Sequence, residues 1–525
     1  MTTAWTPPGL LAQRAAEKPD AEVVRFVDGS LTCGQLDERA NRCANALRDL
    51  GLQRGDRVAV MLPNGPAFLT AWFGIARAGL VEVPINVAYR GDLLAYLLNQ
   101  AGCRALVVDA PLLDRVAAVA GDLTTLERVF VVGPGGDAGG LPVADFDALV
   151  ASGAATPPPE AITPDDTSGI FFTSGTTGPS KGVVRSHRAD VTLAETTVRI
   201  MGYRQGDVLY TAFPLFHLNA KFNSVVPALL IDGTLVLHDR FSASTFWDTC
   251  RKEGVTAFNF MGALLTMLMK QPERDDDADN PVRCAYGAPA PATIFDAFQR
   301  RFGVRLVEVF GSTELGIATH NTIDDATVGS CGRAAPYYEV ELHDEHDRPV
   351  PVGQEGEFVV RPKEPGVMFR EYFGMPEVTL AAFRNLWFHT GDRGRQDAEG
   401  RFSFVDRMKD AIRRRGENIS SWEVEKVLAS HDAVAEVAVI GVPDEVSEEE
   451  VMAVVVRKEG ADLTAEQLLD FCVPRLAHFA VPRYVRFVDE LPKTPSQRIE
   501  KYRLREQGLT PDTWDRTVAG YEVRR

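Results

Sequence analysis

The chain has 525 residues, of which 45% are hydrophobic and 25% charged, and its formal charge is −17. That length exceeds what one core holds, so two or three domains are expected. So acidic a chain has no general attraction for nucleic acid or an anionic membrane surface, and the one local exception is the basic run RMKDAIRRRG at 407–416.

The first twenty residues carry no cationic stretch followed by an apolar run, so they do not read as a secretory signal. The seven cysteines are scattered, odd in number and without a C-x-x-C. This pattern fits a reducing compartment, and a cytoplasmic location is expected. No H-E-x-x-H or similar spacing points to a zinc site.

In chain order, SLTCGQLDERANRCANALRDLGL (30–52) predicts a helix starting at its threonine, with apolar residues at 3–4 spacing. DRVAVMLPN (56–64) predicts a short strand. The apolar stretch 67–81 is broken by Arg77 and Gly79 and reads as a buried helix rather than a membrane span. LVEVPIN (80–86), AGCRALVVD (101–109) and VFVVG (129–133) continue the strand series. The expected class is α/β, with a large N-terminal domain of mixed, largely parallel sheets and helices.

The run ASGAATPPPEAITPDD (151–166) is small, polar and proline-rich, and predicts an exposed linker or loop. Strands are then expected at GIFFTS (169–174), TLVLHD (234–239), AFNFMG (257–262) and LVEVFG (306–311), with short strands and turns from 359. From about residue 409 the pattern reads helix, strand, strand, helix, strand. It predicts a small mobile α+β lid, residues 409–525, after a body of residues 1–408.

The strongest chemical signal is FFTSGTTGPSKGVVRSH (171–187). A strand ends, hydroxyls, glycines and a lysine crowd together, and a helical pattern begins. Hydroxyls and exposed backbone N–H groups suit phosphate oxygens, and glycine permits close approach. The common P-loop would need Ser or Thr after the lysine, and here Gly182 follows Lys181.

This loop resembles the phosphate loop of the adenylate-forming superfamily: acyl-CoA synthetases, nonribosomal-peptide adenylation domains and luciferases. Members make an acyl-adenylate from ATP and a carboxylic acid, and many pass the acyl group to a thiol. The resemblance implies that Thr173, Ser174, Thr176, Thr177 and Lys181 meet the phosphates. Further motifs follow in the family's order over nearly the whole chain.

VFGSTELG (309–316) resembles the adenine and magnesium motif, which implies Phe310 stacking on the base beside Gly311, Thr313 at the phosphate and Glu314 on Mg²⁺. A hard carboxylate suits that ion. YGAPAP (286–291) resembles the adenine-pocket segment, with Gly287, Ala288 and Pro289. WFHTGDRG (387–394) resembles the ribose motif, where Asp392 accepts from the ribose hydroxyls and Arg407 also reaches them. By the same resemblance Lys409 is the hinge, Gly416 in RRRGENIS gives room to the pantetheine arm of CoA, and His217 in FPLFHLNA gates that tunnel and the acyl pocket.

LPKTPSQRIEK (491–501) departs from the family, which has a glycine and then a lysine where this chain has Gln497 and Arg498. That lysine reaches the substrate carboxylate and the α-phosphate during adenylation only. Arginine keeps the charge but replaces a compact ammonium with a planar fork. Lys501 lies an odd number of residues away, and Lys493 five positions off, so neither is a ready substitute in an extended segment.

The departure predicts an enzyme that makes an acyl-CoA thioester from a supplied acyl-adenylate, with a separate adenylating enzyme as partner. It resembles the non-adenylating branch of acyl-CoA ligases in platensimycin-type antibiotic biosynthesis. Two alternatives stand beside it: a complete ligase using ATP and Mg²⁺, and a catalytically silent adenylate-binding protein. FNFMGALLTMLM (258–269), with Gly262 at one wall, points to a bulky hydrophobic carboxylic acid.

Overall fold

The computed structural model describes residues 5–159, 161–173, 179–407, 411–444, 448–492 and 499–523. The chain divides into two compact units: Met1–Val87, Leu98–Phe172 and Gly182–Asp406 in one, and Ala88–Leu97, Thr173–Lys181 and Arg407–Arg525 in the other.

The first unit is built on three sheets of seven, nine and five strands. In the seven-stranded sheet, Arg57–Met61 lies between Val81–Pro84 and Cys103–Asp109, both parallel to it, and Arg128–Val132 extends the parallel run. Continuous apolar strands such as Ala105–Val108 are what a parallel sheet requires when both its faces are covered. The expected helix is Cys33–Asp49. Its Thr32 forms a capping box with Gln35, satisfying two otherwise orphaned N–H groups.

The apolar stretch after residue 66 forms the helix Pro66–Arg77, in which every residue from Phe68 to Arg77 is buried. A Cβ at Gly74 would lie 2.5 Å from that of Cys43, so this glycine sets the close approach of the two helices. Arg77 is tolerated inside because it pairs with Asp37 at 2.7 Å and donates to Asn41 and Pro8.

In the nine-stranded sheet Val208–Thr211, Thr234–Leu237, Ala257–Phe260, Cys284–Gly287 and Arg305–Ser312 are parallel. The chain then reverses, and Gly316–His320 pairs antiparallel with Arg305–Ser312 through a register shift at Phe310/Gly311. The five-stranded sheet, with Tyr338–His343, Glu355–Pro362 and Trp387–Gln396, is antiparallel where those strands pair.

Two local expectations change. The helix expected directly after the glycine–threonine loop begins only at His187, because Lys181–Ser186 is a strand. Residues 181–186 alternate poorly, since five of the six are buried. Part of the exposed run after residue 150 is also tied down. Asn45 donates to the carbonyls of Ala154 and Thr156, each at 2.8 Å, and Arg42 to that of Gly153.

The second unit contains the antiparallel hairpin Ala411–Arg414 and Glu417–Ser420, followed by the helix Ser421–Ala429. Val434–Pro443 and Glu449–Arg457 pair antiparallel, and Tyr484–Val488 adds a parallel strand after the helix Ala465–Cys472. This is the expected helix, strand, strand, helix, strand order. The hairpin ahead of it, and Lys501–Gln507 and Trp514–Asp515 behind it, were not expected. Among the described residues no helix is long and apolar enough to cross a membrane.

Candidate active site

In the first unit the turn after Arg305–Ser312 carries Thr313 and Glu314, and several contacts hold it. The Arg185 guanidinium donates to the Thr313 carbonyl at 2.8 Å. The Phe369 N–H donates to the Glu314 carbonyl at 2.7 Å, and the Tyr338 hydroxyl to that of Leu315 at 2.7 Å. The Tyr372 hydroxyl donates to Oε1 of the Glu314 side chain at 2.9 Å. Burial and the adjacent Glu314 charge push the Tyr372 phenol up, which keeps it a donor.

Arg185 is itself fully buried. It pairs with Asp190 at 2.7 Å, and Ser168 donates to the second Asp190 oxygen at 2.5 Å. The residues around Tyr372 are strapped to the strand Lys181–Ser186 by Arg370 N–H to Val184 O at 2.9 Å and Phe373 N–H to Gly182 O at 2.7 Å. Glu314 is therefore aimed by groups that are themselves fixed.

Phe310 stacks on Phe358 with centroids 4.3 Å apart, and the exposed Phe404 lies 6.3 Å away at 30°. The neighbouring glycines have a packing reason of their own. A Cβ on Gly311 would fall 1.8 Å from the Gly316 carbonyl oxygen, and one on Gly287 would fall 2.0 Å from that of Phe260. Ala288–Pro289 is a cis peptide bond. Asp392, 8% exposed, lies on the strand Trp387–Gln396, and its N–H donates to Thr390 Oγ1 at 3.0 Å.

His217 precedes the short helix Leu218–Ala220, which runs into the π-helical turn Lys221–Val225. Its ring sits edge-on to Phe216 at 4.7 Å. Such π turns recur at functional sites.

Sequence reading missed Glu308. This residue is 8% exposed and accepts the N–H of Ala290, which follows Pro289 in the chain. Its Oε2 has no partner among the described residues. Burial pushes its carboxyl from 4.5 up to about 7. The raised value means that Glu308 favours the fold while protonated and loses that contribution as pH rises from about 4.5 through about 7. Glu308→Gln keeps an acceptor for the Ala290 N–H and removes the charge. Relative to the parent it is expected to gain on the order of 3 kcal/mol in stability between pH 4.5 and 8. Parallel melting-temperature profiles across that range would show instead that Glu308 does not titrate there.

In the second unit Thr173 ends the strand Thr167–Thr173, and Lys181 begins the next. Between them Ser180 is held from two sides: its hydroxyl donates to Glu423, and its carbonyl accepts from the Tyr96 hydroxyl at 2.9 Å. Burial pushes Glu423 up to about 7. A cavity of 380 Å³ in this unit is lined by Tyr89, Tyr96, Ser420, Glu423, Arg475 and Phe479 among others. Gly416 sits in the hairpin turn with φ 90°.

Ser174, Thr176, Thr177, Lys409, Gln497, Arg498 and the side chain of Arg407 lie outside the described residues. Lys501, noted as a poor substitute for the family lysine, starts the helix Lys501–Gln507. It pairs with Glu425 at 2.7 Å and donates to Ser421 at 2.9 Å.

The donor set fits Mg²⁺ bound through nucleotide. Among the described residues no three His, Cys, Asp or Glu side chains group as a metal cage. Mg²⁺ takes one or two carboxylates together with phosphate oxygens and water, and Glu314 supplies one oriented carboxylate.

Residues 11–373 match the family model of the AMP-binding enzymes, and residues 423–498 match that of the AMP-binding enzyme C-terminal domain. The chain is 35% identical over 489 residues to the crotonobetaine/carnitine–CoA ligase of Salmonella typhi, covering 90% of this chain and 92% of that one. Among solved structures, a double mutant of the o-succinylbenzoate CoA synthetase of Bacillus subtilis, bound to a product analogue, matches with TM-score 0.83 and 25% identity. The match covers 95% of this chain and 98% of that one. The fatty acyl CoA synthetase of Mycobacterium tuberculosis matches with TM-score 0.71 and 30% identity, over 96% and 98% of the two chains.

Proposed function

This chain belongs to the AMP-binding family of adenylate-forming enzymes and is an acyl-CoA ligase, and we propose that it performs the second half of that chemistry. In this reading it takes an acyl-adenylate made by a separate adenylating enzyme and transfers the acyl group to the thiol of CoA, releasing AMP. Residues 1–408 act in this reading as the body, although Ala88–Leu97 and Thr173–Lys181 cluster with the second unit, and 409–525 act as the lid, with Lys409 as the hinge.

The observation that carries the reading is Gln497–Arg498 in place of the family's glycine and lysine, in a chain whose other motifs match. Adenylation asks one cation to follow the charge that develops as pyrophosphate leaves. A misplaced donor at such a point costs about 10²–10³ in rate. Thioester formation needs no such group at position 498. There Thr313, Asp392 and Arg407 hold the AMP moiety, and Gly416 and His217 shape the route of the thiol. Glu314 would hold Mg²⁺, which would supply charge neutralisation to the phosphates of ATP. A bulky hydrophobic acyl group is assigned to the wall around Gly262.

The charge that Arg498 retains favours a second reading, a complete ligase that uses ATP, Mg²⁺ and the free acid. The two separate cleanly. Given acid, ATP and Mg²⁺, the protein is expected to show little ATP–pyrophosphate exchange. Given the synthetic adenylate of the same acid and CoA, it is expected to turn over. Robust exchange by the unaltered chain supports the complete ligase, and failure of both arms across acyl groups supports a silent adenylate-binding protein.

A further inference from the structure

The hairpin Ala411–Arg414 and Glu417–Ser420 turns through two residues, Arg415 at φ 50° and Gly416 at φ 90°. Two successive left-handed residues match a type I′ turn, which favours glycine or asparagine at both places. An arginine pays a steric penalty there, because its Cβ crowds the following carbonyl. Strain held at a defined position points towards function.

The three consecutive arginines of this run meet different fates. Arg414 is buried, pairs with Glu450 at 2.5 Å and donates to the Phe479 carbonyl at 2.8 Å. Arg413 is partly buried, and its backbone N–H donates to Glu449 at 2.8 Å. Arg415 alone is exposed, and it takes no hydrogen bond or ion pair among the described residues. The fold thus holds a disfavoured conformation that presents, at the tip of the hairpin, one guanidinium with no partner among the described residues.

The chemistry of the cosubstrate gives that cation a partner. CoA carries a pyrophosphate and a 3′-phosphate, whereas this chain carries −17. The overall field opposes such a polyanion, so capture needs a local positive group. We propose that Arg415 binds a phosphate group of the nucleotide–thiol substrate and so selects CoA over thiols that lack the nucleotide. The inference rests on the thioester-forming reading above and adds the group that recognises the nucleotide end of the thiol.

The test is calorimetric titration of the full chain, with AMP present, by CoA, 3′-dephospho-CoA and pantetheine. Arg415→Gly is expected to weaken CoA binding about tenfold or more, the effect of losing one charge-assisted hydrogen bond. Pantetheine binding is expected to stay unchanged, and the melting temperature to hold or rise as the turn is relieved of strain. Arg415→Lys retains part of the affinity. If the loss disappears with 3′-dephospho-CoA, the 3′-phosphate is the contact; if it persists, the pyrophosphate is. Equal CoA affinity of variant and parent overturns the inference alone. So does an equal loss for CoA and pantetheine, which would report turn shape, or a lowered melting temperature, which would report a structural arginine. A parent chain that does not bind CoA removes the thioester reading together with the inference.

Discussion

Arg498→Lys is expected to raise ATP–pyrophosphate exchange by about 10²-fold while leaving thioester formation from supplied acyl-adenylate within about twofold of the parent. An ammonium is a compact charge with three rotatable donors on a flexible stem. It can follow a phosphate whose bridging oxygen gains charge as the bond to pyrophosphate breaks. A guanidinium spreads the same charge over a planar fork and binds best where two acceptors lie parallel. Gln497 compounds the change, because glycine at that position would tolerate positive φ and glutamine does not.

The double replacement Gln497→Gly and Arg498→Lys is therefore expected to exceed the single one. Any gain must come with a matching acid, so the thioester assay on the same acyl group is the control. If Arg498→Lys leaves exchange at the parent's level and the double variant does too, the departure at 497–498 is not what limits adenylation. Lys501 does not confuse the result, since Glu425 and Ser421 already engage its ammonium.

Much of the architecture was legible because local and global signals agreed. Thr32 and Gln35 announce a helix start three residues apart, and the capping box forms. Apolar runs of four to six residues between turn residues became parallel strands. What was hidden depends on contacts distant in sequence. Nothing near Gly287 shows that the carbonyl of Phe260, twenty-seven positions earlier, would collide with a Cβ.

Glu308 reads as the polar residue of an alternating strand, and only the fold shows it buried against Ala290. The charged run ending in RRRG concealed a hairpin, because two of its arginines are accommodated by burial or partial burial that a periodicity reading does not foresee. Tyr372 lies fifty-eight positions from Glu314, beyond the reach of any local motif.

Glu314→Gln is expected to separate the two half-reactions from the other side. The substitution keeps the size of the side chain and an oxygen that can accept from Tyr372, while removing the negative charge. Mg²⁺ bound between a carboxylate and phosphate oxygens neutralises the triphosphate, and a neutral amide holds such a hard cation poorly. Any adenylation the chain performs, including that gained through Arg498→Lys, is expected to fall by about 10²-fold or more in the glutamine variant. Thioester formation from acyl-adenylate is expected to fall much less, since pyrophosphate and its metal have no part in that step.

The turn is anchored independently of the side chain by Arg185 on the Thr313 carbonyl and by Phe369 on the Glu314 carbonyl, so the backbone should keep its place. Calorimetry of ATP binding with and without Mg²⁺ supplies a readout that does not depend on turnover. The parent is expected to bind ATP more tightly with Mg²⁺, and Glu314→Gln to lose that difference. Equal losses in both half-reactions, with the Mg²⁺ effect on ATP binding intact, would place Glu314 among the residues that hold the turn rather than the metal.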